Sequence, residues 1–190
     1  MDWSDLWKSG LGAVIGFTLA QVVNCAKLGW DWFNRPHLRI DADKNCMILS
    51  HTTQADLNSF LKEIIYGFHV RNTGRRIATG VKFQILKIET RNDSSRGFAT
   101  ASDRVITLAT YNHADKIRGD IQTTLVPNAA TLVSLAFWRE DRDAIFPSAT
   151  YLPDYYEEGC ADAIEYRFTV VAFADNANFA TEVLTIDTRL

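Results

Sequence analysis

The sequence contains little cysteine, little proline and no excess of positive charge, and each of these shortages excludes a class of protein. Three cysteines among 190 residues, without paired spacing, exclude a disulfide framework and a cysteine-based zinc site. Four prolines and a hydrophobic content of 47% exclude a collagen-like or disordered chain. The net charge of −3 argues against a dedicated nucleic-acid binder, which usually carries an excess of Lys and Arg. We therefore expect one folded domain in a reducing compartment, with no bulk nucleic acid as a partner.

Catalytic and cofactor-binding motifs are also missing. The chain contains no glycine-rich phosphate loop, no nucleophile elbow and no HExxH string. None of the four histidines has a second histidine or a cysteine within four positions. Carboxylates are frequent between residues 141 and 162, and we interpret them as a solvated loop rather than a cation site. The sequence therefore predicts no enzyme activity, no metal and no cofactor.

The longest uncharged run lies near the N-terminus, between Lys8 and Lys27. Its 18 residues, 9–26, would form a helix about 27 Å long, close to the hydrocarbon thickness of a bilayer. Tryptophans flank the run on both sides, as interfacial anchors do: Trp3, Trp7, Trp30 and Trp32. The run predicts a transmembrane helix and makes the lipid bilayer the first expected partner. A helix lying in the interface is the alternative, because several polar residues make the run only moderately apolar.

Basic residues follow the span rather than precede it. Lys27, Arg35, Arg39 and Lys44 come after it, whereas Lys8 is the one basic side chain before it. The positive-inside rule then predicts an N-terminus outside and a C-terminal domain in the cytoplasm, as in a single-pass protein of a bacterial inner membrane. The acidic start MDWSDLWK argues against a cleaved signal peptide, whose first residues are basic.

Small residues recur on one face of this predicted helix. Gly12, Gly16 and Ala20 follow one another at intervals of four, and Asn24 is next in the series. Small residues let two helices approach closely in lipid, and an amide can hydrogen-bond across the contact. The pattern predicts self-association through the spanning helix. Alternatively, the glycines reflect only the general frequency of glycine in membrane helices.

After the span the periodicity changes from helix to strand. Asn34-Arg35-Pro36 is expected to end the helix. Short apolar or alternating runs predict strands at 37–42, 46–50, 65–70, 79–89, 102–109, 120–126, 131–138, 164–173 and 181–187. Polar residues predict loops at 51–59 and 91–98, and a break in alternation near Leu86 predicts a bulge.

No amphipathic helix separates these strands, which favours an all-β fold over a βαβ fold. The sequence thus predicts two parts. Residues 1–35 form an N-terminal membrane anchor with one transmembrane helix, and residues 36–190 form an antiparallel β-sandwich domain.

Two segments of the second part carry a family pattern. FHVRNTGRRIATGVKFQI at 68–85 combines two alternating strands with Asn72, Gly74, Ala78 and Val81. TTLVPNAATLVSLAF at 123–137 has Asn128 after Pro127, where the pattern has glycine. With the closing hairpin, residues from about 62 to 188 resemble CARDB-type bacterial immunoglobulin-like domains. The resemblance implies an immunoglobulin-like sandwich with a non-enzymatic binding, adhesion or spacer role. Asparagine can replace glycine here, because it is the next-best residue in a left-handed turn.

Two clusters are candidate contact sites for a ligand or partner. Arg71, Arg75 and Arg76 surround the Asn72-Thr73-Gly74 turn, where guanidinium groups could hold a phosphate or carboxylate. Alternatively, they only keep the strand ends soluble. The segment 146–156 is rich in aromatic residues and includes three tyrosines typical of a contact surface, Tyr151, Tyr155 and Tyr156. Alternatively, this segment covers an edge or end of the sandwich.

Together these patterns predict a single-pass, membrane-anchored β-sandwich that binds an unidentified protein or small ligand and catalyses no reaction. One alternative is a sensor or effector whose ligand makes the spanning helices cluster. The other is a hydrolase whose site is assembled from residues distant in sequence, because a fold-level resemblance does not fix a function.

Overall fold

The computed structural model describes residues 3–41, 47–56, 59–112, 117–118, 122–139, 145–147 and 163–188. The chain divides into two compact units, Met1–Arg35 and Pro36–Leu190. The first unit is built on a helix, and the second, here called the β-domain, is built on antiparallel sheets.

Helix α1 runs from Trp3 to Phe33 and contains 31 residues. It ends where the sequence predicts, because Pro36 cannot continue a helix and its predecessor avoids the helical region. Asn34 closes the last turn by donating from its backbone N–H and from Nδ2 to the Trp30 carbonyl, at 3.0 and 2.8 Å. Within this helix, Ala13–Phe33 is long and apolar enough to cross a membrane, and none of it is buried by protein. The predicted span at 9–26 overlaps this stretch.

The strands of the β-domain are, in chain order, β1 (Leu38–Asp41), β2 (Met47–Asp56), β3 (Ser59–Asn72), β4 (Ala78–Arg91), β5 (Ala99–Ser102), β6 (Ile106–Leu108), β7 (Tyr111–Asn112), β8 (Ile117–Arg118), β9 (Thr123–Leu125), β10 (Ala130–Arg139), β11 (Ile145–Pro147), β12 (Glu165–Ala174) and β13 (Ala177–Asp187). The first sheet has the order β1-β3-β10-β11, with β2 also paired to β3. The second sheet has the order β13-β12-β4-β5, with β6 and β9 also paired to β4. A short ladder joins β7 and β8. The antiparallel, mostly β architecture predicted from the sequence is confirmed.

Both sheets contribute to one hydrophobic core. Phe68 and Val133 come from the first sheet, and Phe83, Phe168 and Leu184 come from the second; all are at most 3% exposed. Alternate residues of a strand point to opposite faces, and burial alternates along the first half of β12, whereas residues 132–137 of β10 are all buried. The shared core is therefore formed by the inward-facing residues of strands from both sheets.

The bulge predicted near Leu86 is present. Along the β4–β12 ladder, Lys87 pairs with Thr169 and Ile85 pairs with Val170, so Leu86 is an extra residue on β4. The extra residue lets Ile88 return to the core, where it is 1% exposed.

Two local predictions are wrong. Residues 51–59 were expected to form a loop, yet β2 continues through Asp56 and β3 begins at Ser59. This polar segment is held by its ladder with β3, which includes the pairs His51–Glu63 and Gln54–Phe60. The predicted single strand at 102–109 is instead divided, because β5 ends at Ser102, β6 begins at Ile106, and the residues between them do not pair with β4.

Candidate functional site

Several turns of the β-domain meet at one end of the sheets, here called the turn end. It consists of residues 72–78, between β3 and β4, residues 125–129, between β9 and β10, and residues 174–177, between β12 and β13. The register brings the first two together, because Ala78 at the start of β4 pairs with Leu125 at the end of β9. The third joins them through the Asp175 N–H, which donates to the Thr79 carbonyl at 3.0 Å.

Asn72 is fully buried at the centre of the turn end. Its Oδ1 accepts from the N–H groups of Gly74 and His37, at 3.0 and 3.2 Å. Its Nδ2 donates to the carbonyl oxygens of Arg76 and Leu125, at 2.7 and 2.9 Å. One amide therefore connects the start of the β-domain, its own turn and the end of β9. The sequence pattern places Asn72 in a turn, but the partners at 37 and 125 are too distant in sequence to be found from it.

An asparagine also stabilises each of the other two turns, Asn128 through its backbone and Asn176 through its side-chain amide. Asn128 has a φ of 63°, the left-handed conformation predicted for the residue after Pro127. Its N–H donates to the Asn72 carbonyl at 2.7 Å. Asn176 accepts from the Thr79 N–H at 3.0 Å and donates to the Ile77 carbonyl at 2.9 Å. These bonds pair backbone groups of the turns, while Ile77 and Val126 keep their side chains about half exposed.

The three arginines of the predicted cluster occupy two places. Arg75 and Arg76 are exposed in the turn that follows β3. Arg71 lies in β3 itself, and its Nε is 3.1 Å from Oδ2 of Asp41 on the adjacent strand β1. Arg71 therefore lines a groove beside β1, whereas Arg75 and Arg76 belong to the turn end.

This groove has a volume of about 920 Å³ and lies between the edges of the two sheets. Strand β1 contributes Leu38–Asp41, and β13, the last strand of the second sheet, contributes residues 179–182. The two strands are linked by an isolated parallel bridge between His37 and Asn178. Phe179 is 73% exposed on its rim.

Charges of both signs line the groove. Asp41 lies between two arginines, with Arg39 Nε at 3.3 Å and Arg71 Nε at 3.1 Å. Glu182 faces the same space from β13. Exposed ion pairs of this kind contribute at most about 1 kcal/mol to stability, so these groups can exchange partners at little cost. The groove thus presents the Phe179 ring, an edge strand and charges of both signs to a ligand.

A second charged cluster lies at the start of β12 and was not predicted. Arg91 and Glu165 form an ion pair across the β4–β12 ladder. The guanidinium carbons of Arg167 and Arg91 lie 3.7 and 4.8 Å from the centre of the Phe98 ring. The stacking fixes the loop after β4 against the sheet. Its groups are engaged with one another, so we assign it a structural role.

The carboxyl group of Asp93, in this same loop, has a pKa below its usual range. The Ser95 N–H donates to Oδ1 at 2.9 Å, and the Ser95 side chain adds a second hydrogen bond to the carboxylate. Both bonds favour the ionised form and close a local turn.

The helix presents the predicted small-residue face to its surroundings. Gly16, Ala20 and Asn24 are exposed, and a side chain built at Gly16 would meet no atom within 4 Å. Gly12 lies in the same helix. The Thr18 hydroxyl donates to the Val14 carbonyl at 2.8 Å, which lowers the cost of placing it in lipid.

The tryptophans proposed as interfacial anchors all lie within α1. Trp30 and Trp32 are 65% and 59% exposed near its C-terminal end. Trp3 and Trp7 lie near its N-terminal end.

Some predicted residues lie outside the described part of the chain. These are Tyr151, Tyr155 and Tyr156, the acidic positions 141–144 and 148–162, and two of the three cysteines, Cys46 and Cys160. Cys25 is an exposed free thiol. Among the residues that the structure describes, no three His, Cys, Asp or Glu side chains are grouped to hold a metal ion.

Comparison with known proteins adds no family to this description. No family model and no curated protein matches the chain.

Proposed function

We propose that the protein is a single-pass, membrane-anchored binding protein whose β-domain lies in the cytoplasm and catalyses no reaction. The observation that carries the anchor is the candidate span Ala13–Phe33, of which none is buried by protein. Its apolar side chains include Phe17 and Val23, which are 67% and 62% exposed. Because so large an apolar surface is costly in water, a bilayer is the environment that suits it.

A signal sequence near the N-terminus would have the same length and composition. Asp2 and Asp5 precede the apolar run here, and they are unfavourable in the basic first region of a cleaved signal. We therefore favour an uncleaved anchor.

Extraction of membranes at alkaline pH tests the anchor. The full chain should stay in the pellet after carbonate treatment, whereas a chain beginning at Pro36 should appear in the supernatant. Release of the full chain would contradict the spanning helix and favour one that lies in the interface.

The orientation with the N-terminus outside is proposed from the excess of Lys and Arg after the span. Fusions at the C-terminus test it, because alkaline phosphatase is active only after export and a fluorescent protein matures in the cytosol. We expect fluorescence without phosphatase activity. An active phosphatase fusion would refute a cytoplasmic β-domain.

We further propose that the β-domain is an immunoglobulin-like sandwich. Its support is the core shared by the two sheets, together with the buried Asn72 and the left-handed Asn128 at the two positions of the family pattern. Domains that resemble this class act mostly as binding modules, which supports a role without catalysis.

The groove between β1 and β13 supports binding of an extended protein segment. An edge strand offers backbone donors and acceptors to an incoming strand, and adjacent side chains select its sequence. Strand β13 ends the second sheet, and Phe179, Arg71 and Glu182 lie beside it in the groove. These residues suit a partner segment with an apolar side chain and charges of both signs.

Photo-crosslinking in cells tests this binding. A benzoylphenylalanine at position 179 should give a discrete adduct that weakens when Arg71→Glu is added. Val105 is 60% exposed and does not line the groove, so the same probe at 105 is the control. Equal adducts at both positions, or none at 179, would refute the groove as the binding site.

A further inference from the structure

The chain enters the β-domain at the turn end. His37, the second residue of this unit, donates from its N–H to Asn72 Oδ1 at 3.2 Å. Its carbonyl accepts from the Thr73 N–H at 2.7 Å and from the Thr73 hydroxyl at 3.2 Å. Three hydrogen bonds therefore fix the start of the β-domain to the turn that follows β3.

The connection to the anchor is short. Phe33 is the last residue of α1, and three residues separate it from His37. Four consecutive Cα steps extend at most about 14 Å. The covalent connection from the last residue of α1 to His37 therefore spans at most about that distance.

The turn end exposes two apolar side chains beside two arginines. Ile77 and Val126, one in each of two adjacent turns, are 47% and 51% exposed. Arg75 and Arg76 are exposed beside Ile77. Asp175 is the one acidic residue among the turn-end residues, all of which the structure describes, so their net charge is positive.

The carbonyl groups of Ile77 and Val126 are already paired. The Ile77 carbonyl accepts from Asn176 Nδ2 at 2.9 Å, and the Val126 carbonyl accepts from the Ala129 N–H at 3.0 Å. Paired carbonyls can approach the apolar part of an interface without losing a hydrogen bond to water. The two apolar side chains can thus be inserted while their loops keep their shape.

We propose that the turn end docks on the anionic lipid surface next to the anchor, with Ile77 and Val126 at the interface and Arg75 and Arg76 against lipid phosphates. The proposal rests on the proposed function, because it requires a membrane-embedded α1. A soluble phosphate would engage the arginines but not the two apolar side chains. Apolar residues flanked by arginine match the chemistry of an anionic bilayer surface.

Depth measurements on the full chain in vesicles test the docking. An environment-sensitive fluorophore is attached to a single cysteine at 77 or at 126, with the native cysteines replaced by serine. Vesicles contain phosphatidylcholine with or without phosphatidylserine, together with a lipid that carries a quencher at headgroup level. The matched control is a cysteine at the exposed Val105. It precedes Ile106, which pairs with Ile85, seven residues along β4 from Ala78 and so about 23 Å from the turn end.

A chain labelled at its native Cys25 reports on the anchor separately, with acyl-chain quenchers. We expect strong quenching at Cys25, and at least about threefold more headgroup quenching at 77 and 126 than at 105 in vesicles with phosphatidylserine. Replacing Arg75 and Arg76 by glutamine should lower the equilibrium constant for docking about fivefold per arginine, because each is attracted to an anionic surface.

The outcomes separate the two proposals. An unquenched Cys25 means that the proposed anchor is wrong. Quenching at Cys25 with no more quenching at 77 and 126 than at 105 refutes the docking and leaves the anchor intact. Equal quenching at 77 in neutral and anionic vesicles refutes recognition of anionic lipid.

Discussion

Replacing Asn72 by alanine should destabilise the β-domain more than any exposed change at the turn end. The side chain is fully buried and satisfies two acceptors and two donors. Alanine would leave the Leu125 carbonyl and the Gly74 N–H, both in buried bonds, without partners. The other two bonds are partly buried, so water can replace them in part.

The expected cost follows from these four groups. A buried polar group left without a partner costs about 1–3 kcal/mol, so the two buried groups alone cost about 2–6 kcal/mol. The two partly buried groups can hydrogen-bond to water in the variant, so they add little to this cost. We therefore expect the free energy of unfolding to fall by about 4 kcal/mol, the middle of the range. Domains are stable by only about 5–15 kcal/mol, so the change removes a large share of the total.

Urea unfolding of a chain beginning at Pro36 measures the effect. Trp138 is the one tryptophan in that chain, and it packs against the core, so its fluorescence reports on the β-domain. A loss of about 4 kcal/mol should lower the urea midpoint by roughly 1–4 M, because m-values in urea are about 1–3 kcal/mol per M. Asn176→Ala is the matched control, because that amide makes two exposed hydrogen bonds at the same end. Its expected cost is about 1 kcal/mol.

Asn72→Asp separates hydrogen bonding from shape. Aspartate keeps the two acceptor bonds but places a carboxylate against the carbonyls of Arg76 and Leu125. Burial and this arrangement raise the folded pKa of the new carboxyl above its unfolded value of about 3.9. The destabilisation should therefore be smallest below about pH 4, where the protonated carboxyl can still donate to one of the two carbonyls, and should grow as the pH rises towards 7. If Asn72→Ala costs no more than Asn176→Ala, the hydrogen-bond argument is wrong.

Three further predictions concern single positions. Asn128→Gly should leave stability almost unchanged, whereas Asn128→Val should cost about 1–2 kcal/mol, because φ is 63°; equal midpoints would contradict this. Gly16→Ile should reduce crosslinked dimers and Phe17→Ile should not; unchanged crosslinking in both excludes this face. Ser95→Ala should raise the pKa of Asp93 in an NMR titration, because the side-chain hydrogen bond is lost. The stability that the ionised Asp93 contributes is lost as the pH falls through its folded pKa, and this loss should be small because the carboxyl group is fully exposed.

Features set by local sequence were the ones predicted well. The helix ends before Pro36 because a proline disfavours the helical conformation in the residue that precedes it. The bulge at Leu86 could be predicted because apolar residues alternate along β4 and the alternation breaks there. Asn128 is recognisable because few residues accept a left-handed turn.

The sequence did not predict strands that pair within a sheet but show no alternation of apolar residues. The polar run at 51–56 carries no hydrophobic alternation, so only its ladder with β3 identifies it as a strand. The same holds for the short strand β5, whose residues are mostly exposed. Hydrophobic patterns report which residues are buried, and an edge strand with two polar faces gives no such signal.

The candidate site was predictable only in its parts. Arg71 was singled out with Arg75 and Arg76 because the three are close in sequence. The β-strand geometry instead turns Arg71 towards Asp41 in the groove, 30 residues away in the chain. Phe179 was not singled out at all, because a lone exposed aromatic in an alternating strand is indistinguishable from a buried one before the sheet order is known.

The role of Asn72 connects the stability of the β-domain to its proposed binding groove. Strand β1 has only four residues and pairs with the end of β3, so its position depends on the bonds that hold its first neighbour, His37, to Asn72 and Thr73. The same strand forms one wall of the groove. A weakened Asn72 contact should therefore free β1 before the rest of the core unfolds, because a four-residue strand at the end of a sheet opens at lower free energy than the long central strands. Hydrogen exchange at Arg39 and Asp41 in Asn72→Ser should thus increase more than exchange in β4 and β12. A uniform increase in all strands would show that β1 and the core open together, and the groove would then be as stable as the domain itself.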